Sequence, residues 1–187
     1  GLLCYAKPSS GLVMLREQVL GPERFDLALR TYIERWAYKH PQPDDFFRTI
    51  ENVAGEDLSW YWRGWFQYNW RLDQGINSIK YVKNDPKLGA VISIQNFDKM
   101  AMPIILDVKT KSGKITRVKL PVEIWQRNID WSFKHNSTEE IESITIDPDH
   151  VFPDYNESNN TWSADKRKKK KDIILDGYLG IYSTKMA

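Results

Sequence analysis

The apolar pattern of this chain changes from a helical repeat to a strand repeat near Trp70. Six apolar residues before that point recur every three or four positions and therefore share one helix face. They are Phe25, Ala28, Leu29, Tyr32, Ile33 and Trp36. Beyond Trp70, runs rich in valine and isoleucine alternate with lysine and polar residues, as in half-buried antiparallel strands. The switch predicts an α+β protein of two units, a helical bundle over residues 1–70 and a sandwich over residues 71–160.

Helix boundaries in the first unit are marked by capping and breaking residues. Ser9 or Ser10 can cap a helix from Gly11 to Leu20, and Gly21 ends it. Similar start and stop signals for three further helices are Pro22, Asp44 and Asp45, Gly55, and Asp57 or Ser59. These signals predict four short helices whose apolar faces must be buried.

The last helix carries an unusual density of aromatic residues. Residues 60–70 hold Trp60, Trp62, Trp65 and Trp70, which are four of the eight tryptophans. Stacking on a sugar or a nucleic acid base is one interpretation of such a segment. Aromatic residues at helical spacing more often form a core, and we favour that interpretation.

Five alternating runs predict the strands of the second unit. They are Ile79–Lys83, Ala90–Gln95, Ile104–Lys109, Ile115–Ile124 and Ile141–Ile146. The segment from Lys111 to Lys114 contains Ser and Gly and is typical of a hairpin loop. Short strands at this spacing predict an immunoglobulin-like antiparallel β-sandwich.

Residues 5–66 contain an ordered series of short motifs. The series is Tyr5-Ala6-Lys7-Pro8, Leu12 to Arg16, Leu20 to Phe25, Tyr32, Pro43 to Phe46, Gly55 to Leu58, and Trp62 to Phe66. This succession resembles the aminopeptidase N family of gluzincin metallopeptidases. The resemblance implies that residues 1–70 form the end of a catalytic domain, and that the sandwich is similar to the one that follows it in many members.

The resemblance also implies a chemistry that this chain lacks the residues to perform alone. Aminopeptidases of the family bind zinc through His-Glu-x-x-His and a further glutamate, because two histidines one helical turn apart face the same ion. The only histidines here are His40, His135 and His150, and none lies within a turn of another. We interpret all three as ordinary surface residues. No cofactor is therefore expected in this chain, and zinc is expected in the complete parent protein, without which the chain is inactive.

Tyr5 is the one candidate catalytic residue. The resemblance implies that the tyrosine of the Tyr-x-Lys motif stabilises the oxyanion formed at the scissile carbonyl, a task that suits a neutral phenol. The alternative is a partly buried aromatic residue at the base of a helix. Lys7 is interpreted as structural. Pro8 departs from the glycine common in the family, which affects the expected backbone at this point.

A second cluster suggests a metal site of another kind. Its oxygen-bearing residues are Asp147, Asp149, Asp154, Asn156 and Glu157. Calcium prefers such ligands, but no glycine is spaced so as to bend the loop around an ion. A capped and solvated loop is the favoured interpretation, and no metal ligand is assigned.

The charge of the chain is concentrated in one run. Lys166 to Lys171 carries +6, which leaves −4 for the other residues out of a net charge of +2. Nucleic acid or an anionic membrane could bind such a run, but no aromatic or glycine-rich pattern accompanies it. Residues 161–187 are therefore predicted to be a basic linker, with a possible extra strand from Leu175 to Tyr182.

The composition gives limited information on the cellular compartment and on the binding partners of the protein. Cys4 is the single cysteine, so an internal disulfide is excluded, and no apolar run is long enough to span a bilayer. The resemblance favours a bacterial periplasmic, cell-surface or secreted protein. It implies the zinc-bearing N-terminal half of the parent and a peptide substrate as partners, with self-association of the chain when that half is missing.

One alternative function stays open from the sequence. The chain could be a non-enzymatic module, made of helices and a sandwich, that binds a protein or a polyanionic partner. A His-Glu-x-x-His motif in the coding sequence before Gly1 would decide for the enzyme, and its absence would favour the module.

Overall fold

The computed structural model describes residues 2–165 and divides the chain into two compact units. One unit runs up to Leu72 and includes Asp98–Ala101, and the other contains Asp73–Phe97 and the described residues from Met102 onward. The first unit is helical and the second consists of antiparallel sheets. The predicted α+β class, a helical part followed by a β-sandwich, is confirmed.

The first helix, α1, starts earlier than its cap residues predict. It spans Leu2–Met14 and continues as a π-helical segment, Leu15–Leu20. The prediction of a helix starting at Gly11 is wrong, because Pro8 lies inside α1. A proline removes one helical hydrogen bond, but the side chain of Lys7 bonds two carbonyls elsewhere in the unit and anchors this part of the helix.

Three more helices complete the described part of this unit. They are α2, Pro22–Trp36; α3, Pro43–Ala54; and α4, Ser59–Trp62, which continues as a second π-helical segment, Arg63–Gln67. The predicted proline starts of α2 and α3 are confirmed, and so is the end of α3 at Gly55. At the start of α3, the backbone N–H of Gln42 donates to Asp45 Oδ2 at 2.8 Å, which satisfies one free end group.

The helices bury a common core but leave part of α2 exposed. Fully or nearly fully buried residues include Leu15, Leu20, Phe25, Ala28, Ile50, Ala54, Leu58, Tyr61, Trp62 and Trp65. On α2, Tyr32 meets Phe46 of α3 edge to face, with ring centroids 4.9 Å apart. Ile33 is rotated by about 100° from Tyr32 on the helix and is 57% exposed. The described helices therefore leave part of the apolar face of α2 uncovered.

The second unit contains seven described strands in two sheets. They are β1, Gln74–Tyr81; β2, Ala90–Asn96; β3, Ile104–Thr110; β4, Ile115–Leu120; β5, Asp130–His135; β6, Ile141–Ile146; and β7, Thr161–Ser163. One sheet has the order β1-β2-β5 and the other β4-β3-β6-β7, and every pairing is antiparallel.

Alternating side chains from both sheets form the core of the sandwich. In β3, Ile104, Leu106 and Val108 are buried while the residues between them are partly exposed. Successive side chains in a strand point to opposite faces. The alternation therefore predicts a half-buried strand. Ile92 and Ile94 of β2 join the same core.

Four strands differ from the sequence-based expectation. β1 begins at Gln74 rather than Ile79 and ends at Tyr81 rather than Lys83, since Lys83 has a left-handed φ of 51°. β5 lies outside the five predicted runs, because its side chains are exposed at most positions and show no apolar alternation. β4 ends at Leu120 rather than Ile124, since Pro121 has no N–H to donate to a sheet. β7 is only three residues long and pairs with β6, within the segment that the sequence assigned to a linker.

Candidate functional site

The candidate residue Tyr5 lies on α1 with its side chain 77% exposed. The interpretation of Tyr5 as a partly buried aromatic residue therefore does not describe this chain. A phenol hydroxyl can donate a hydrogen bond. Its role in catalysis stays a prediction.

The side chain of Lys7 bonds carbonyl groups of the π-helical segment Arg63–Gln67 and of the residue that follows it. Its Nζ donates hydrogen bonds to the carbonyl oxygens of Gly64 and Tyr68, each at 3.1 Å. Burial lowers the pKa of Lys7 below its ordinary value. A cation at these carbonyls complements the negative end of the helix dipole, so the Lys7 ammonium has a structural partner.

Tyr61 contacts α1 about one turn further along. Its side chain is fully buried, and its hydroxyl donates to the carbonyl oxygen of Gly11 at 2.6 Å. Burial, the larger effect, raises the pKa of the Tyr61 phenol, while the nearby backbone at Leu15 acts in the opposite direction. The Trp65 ring covers this place so closely that a Cβ on Gly11 would lie 3.0 Å from its Cε3 atom.

The tryptophans of residues 60–70 serve mainly as core. Trp62 and Trp65 are buried, Trp62 stacks on Phe47 at 4.6 Å between ring centroids, and Tyr61 stacks on Trp65 at 5.8 Å. The Trp62 indole N–H also donates to Glu51 Oε1 at 3.1 Å. The interpretation as core, rather than as a stacking surface for a ligand, fits these contacts.

A shallow groove opens between α3 and α4. It has a volume of about 270 Å³, and its lining includes Phe47, Arg48, Trp62 and Arg63. Tyr5 is not among the lining residues. The structure therefore does not join this groove to the candidate catalytic residue.

The three histidines occupy unrelated environments. His40 and His150 are exposed, whereas His135 is buried at the end of β5. The surface interpretation of His135 is wrong, because its side chain is buried and lines a small cavity together with residues that include Lys114, Ser137 and Glu139. Burial lowers the pKa of His135, and the nearby Lys114 ammonium lowers it further.

Asp147 and Asp149, two of the candidate calcium residues, have other partners. The carboxylate of Asp147 accepts hydrogen bonds from the backbone N–H groups of Val151 at 3.0 Å and Phe152 at 2.8 Å. Asp149 forms an ion pair with Arg117 at 2.6 Å. These two carboxylates stabilise a loop and the surface of a sheet.

The remaining candidates of that loop also bind protein groups. Asp154 accepts from the backbone N–H groups of Gln74 at 3.0 Å and Asn156 at 2.8 Å. The amide oxygen of Asn156 accepts from the Ser158 hydroxyl at 2.6 Å, and Glu157 is exposed. In residues 2–165, no group of three or more His, Cys, Asp or Glu side chains is arranged to hold a metal ion. A capped loop describes this segment.

Two predicted segments lie outside the described residues: the basic run from Lys166 to Lys171 and the possible strand from Leu175 to Tyr182.

None of the described helices combines the length and the hydrophobicity needed to cross a membrane.

The residue missed by sequence reasoning is Tyr61. It stands among other aromatic residues of residues 60–70, where composition predicts burial for all of them alike. Nothing in its neighbours shows that its hydroxyl reaches a helix fifty positions earlier. Only Gly11 carries a signal, since a glycine inside a helix indicates close approach of another group.

Comparisons with known proteins agree on one family for the helical part. The family model described as the peptidase family M1 domain matches residues 2–65. Aminopeptidase M1-C of Oryza sativa subsp. japonica is 35% identical over 88 residues, which cover 46% of this chain and 9% of that protein. Aminopeptidase M1-D of the same plant is 38% identical over 56 residues, covering 30% of this chain and 6% of that protein.

A solved structure with a similar fold extends beyond the helices. The structure of Legionella pneumophila aminopeptidase A in complex with aspartic acid matches 75% of this chain and 16% of that chain, with a TM-score of 0.52 and 16% identity. At this identity the match concerns the fold alone. The chain thus spans less than a fifth of the length of each of these three proteins.

Proposed function

Because this chain carries a segment of the aminopeptidase N family, peptidase family M1, we propose that it is the C-terminal portion of a zinc-dependent aminopeptidase-like enzyme. In this proposal, the helical unit supplies helices beside the substrate cleft and Tyr5 supplies an oxyanion donor. The sandwich braces the helical unit. The chain alone is inactive.

The exposed phenol of Tyr5 carries this proposal. Tyr5 belongs to the matched segment and its side chain is exposed, and the resemblance of residues 5–8 to the Tyr-x-Lys motif is the reason for assigning it this role. When a peptide carbonyl is attacked, negative charge develops on its oxygen, and a protonated donor held nearby lowers the barrier. A rigid phenol is suited to this because it loses little conformational freedom on binding.

The residues present here do not fit a zinc site. A catalytic zinc needs three protein ligands and an open position, but His40 and His135 belong to different units and none of the three histidines is directly followed by a glutamate. The ligands, and the chemistry that zinc supplies, would come from the N-terminal half of the parent. That half and a peptide substrate are the proposed partners, and a periplasmic, cell-surface or secreted location is proposed with them.

The test is Tyr5→Phe in the complete parent protein. The change removes only the hydroxyl, so we expect kcat for an aminoacyl amide to fall roughly a hundredfold or more, as when an oxyanion donor is lost. KM should change little, because the interaction exists mainly in the transition state. Tyr38→Phe makes the same chemical change at a fully exposed residue and serves as the control. Equal kcat for Tyr5→Phe and the parent would refute the proposed role.

A further inference from the structure

Residues 60–70, here named the aromatic segment, hold α1 from one side. Lys7 bonds the segment's carbonyls at Gly64 and Tyr68. About one turn later, Gly11 lies against the Trp65 ring and bonds the Tyr61 hydroxyl. Lys7 and Gly11 are separated by about 40° around the helix, so these contacts lie on one face of α1.

The Tyr61 hydroxyl is bonded to a backbone group of α1 shortly before the helix changes its winding. It donates to the carbonyl oxygen of Gly11, and the helix passes from α to π geometry at Leu15. In an α-helix the carbonyl of residue 11 is the acceptor for the N–H of residue 15, so the phenol shares an acceptor of the helix's own hydrogen-bond ladder. Tyr61 thus ties α1 to the aromatic segment at this turn.

Tyr5 lies on the opposite face of the same helix. It is about 200° from Lys7 and about 240° from Gly11 around the axis. A shift or rotation of α1 against the aromatic segment would therefore move the Tyr5 hydroxyl. Burial excludes water from the Tyr61 contact, which makes its hydrogen bond costly to lose.

We propose that Tyr61 is a positioning residue that, together with Lys7, sets the place of the Tyr5 hydroxyl by fixing α1 on the aromatic segment. The proposal rests on the proposed function of Tyr5. In this proposal, the buried Tyr61 hydroxyl affects the turnover rate without contacting the substrate.

The first arm of the test uses the 187-residue chain and no enzymatic activity. In Tyr61→Phe, the Gly11 carbonyl loses the hydrogen bond that ties α1 to the aromatic segment, so we expect faster hydrogen exchange of the amides of residues 5–15. Exchange in strands β2 and β3 should stay unchanged, since they belong to the other unit. Tyr38→Phe is the matched control. If the amides of α1 exchange as slowly in Tyr61→Phe as in the wild type, the inference is overturned.

The second arm measures kcat and KM in the complete parent. We expect Tyr61→Phe to lower kcat by roughly tenfold with little change in KM, because a donor displaced by less than an ångström loses much of its effect. Adding Tyr61→Phe to Tyr5→Phe should cause no further loss, since the hydroxyl to be positioned is already absent. Lys7→Met should behave in the same way, and it replaces Tyr61→Phe if that variant does not fold.

The outcomes separate the two proposals. If Tyr5→Phe leaves kcat unchanged, the proposed function fails and the positioning role fails with it. If Tyr5→Phe slows the enzyme but Tyr61→Phe does not, only the positioning role fails. It also fails if the double variant is slower by the product of the two single effects, which would mean that Tyr61 acts independently of Tyr5.

Discussion

Tyr5 and Tyr61 belong to the same helical unit but have opposite surroundings. The Tyr5 side chain is exposed, whereas burial raises the pKa of the Tyr61 phenol. A phenol hydroxyl can donate a hydrogen bond in either place. Tyr61 donates to a backbone carbonyl, whereas a ligand is the acceptor proposed for Tyr5.

His135 is a buried histidine whose surroundings should make stability depend on pH between about 5.5 and 7.5. It is 9% exposed, and its cavity contains Lys114 and Glu139 as the charged groups. Burial and the Lys114 ammonium both lower the pKa of His135. Between the lowered pKa and the ordinary value of about 6.5, the unfolded chain binds more protons than the folded chain. Stability should therefore fall as pH decreases below about 6.5.

We predict that His135→Gln weakens this pH dependence. Urea unfolding of the sandwich, followed between about pH 7.5 and 5.5, should show a smaller loss of the free energy of unfolding in the variant than in the wild type. His150→Gln replaces an exposed histidine of the same unit and should keep the wild-type dependence. Equal slopes for wild type and His135→Gln would contradict the prediction.

At the scale of elements, the connection from β1 to β2 depends on Gly89. Its backbone has φ of 90° and ψ of −179°, a conformation that side chains other than glycine rarely adopt. A Cβ at this position would also lie 2.6 Å from the carbonyl oxygen of His135, at the end of β5. Gly89 thus allows three strands of one sheet to meet at this edge.

We predict that Gly89→Ala lowers the free energy of unfolding by roughly 2–4 kcal/mol, because backbone strain and a backbone clash add. Gly113 has φ of 87° in the turn between β3 and β4, but nothing lies within 4 Å of its added Cβ. Gly113→Ala should therefore cost only the strain, about 1–2 kcal/mol. Denaturant titration of both variants gives the comparison, and a Gly89→Ala cost no greater than that of Gly113→Ala would refute the role of the clash.

At the scale of the whole molecule, the helical unit exposes several large apolar residues. Val13, Leu27, Ile33 and Tyr38 are all at least half exposed. Scattered apolar residues are common on protein surfaces, but Ile33 continues the partly buried side of α2 formed by Tyr32 and Trp36. In the proposed parent, this surface would pack against the zinc-bearing half.

We predict that the isolated chain self-associates through this side of α2. Light scattering should show a mass that rises with concentration, and Ile33→Lys should reduce the rise. Ile115→Lys, at a similarly exposed isoleucine of the sandwich, is the control and should not. A strictly monomeric wild type, with residues 1–20 as protected from hydrogen exchange as the sandwich strands, would instead favour an independent helical module.

Local signals in the sequence were sufficient for the class of the fold and for many boundaries. Pro22, Pro43 and Gly55 marked helix ends correctly, because proline and glycine restrict the backbone whatever surrounds them. β3 was recognisable since both its faces follow the alternation of a half-buried strand. β5 was not, because exposure at most of its positions removes the alternation on which recognition depends.

The sequence by itself determined the family segment and the α+β class, since these depend on residue order and local periodicity. Only the tertiary structure decided that α1 runs through Pro8, that His135 is buried, and that the Tyr61 hydroxyl bonds Gly11. The physical reason is distance along the chain. Lys7, Gly11 and His135 are held by groups that come near them only after folding, and neighbouring residues carry no record of such contacts.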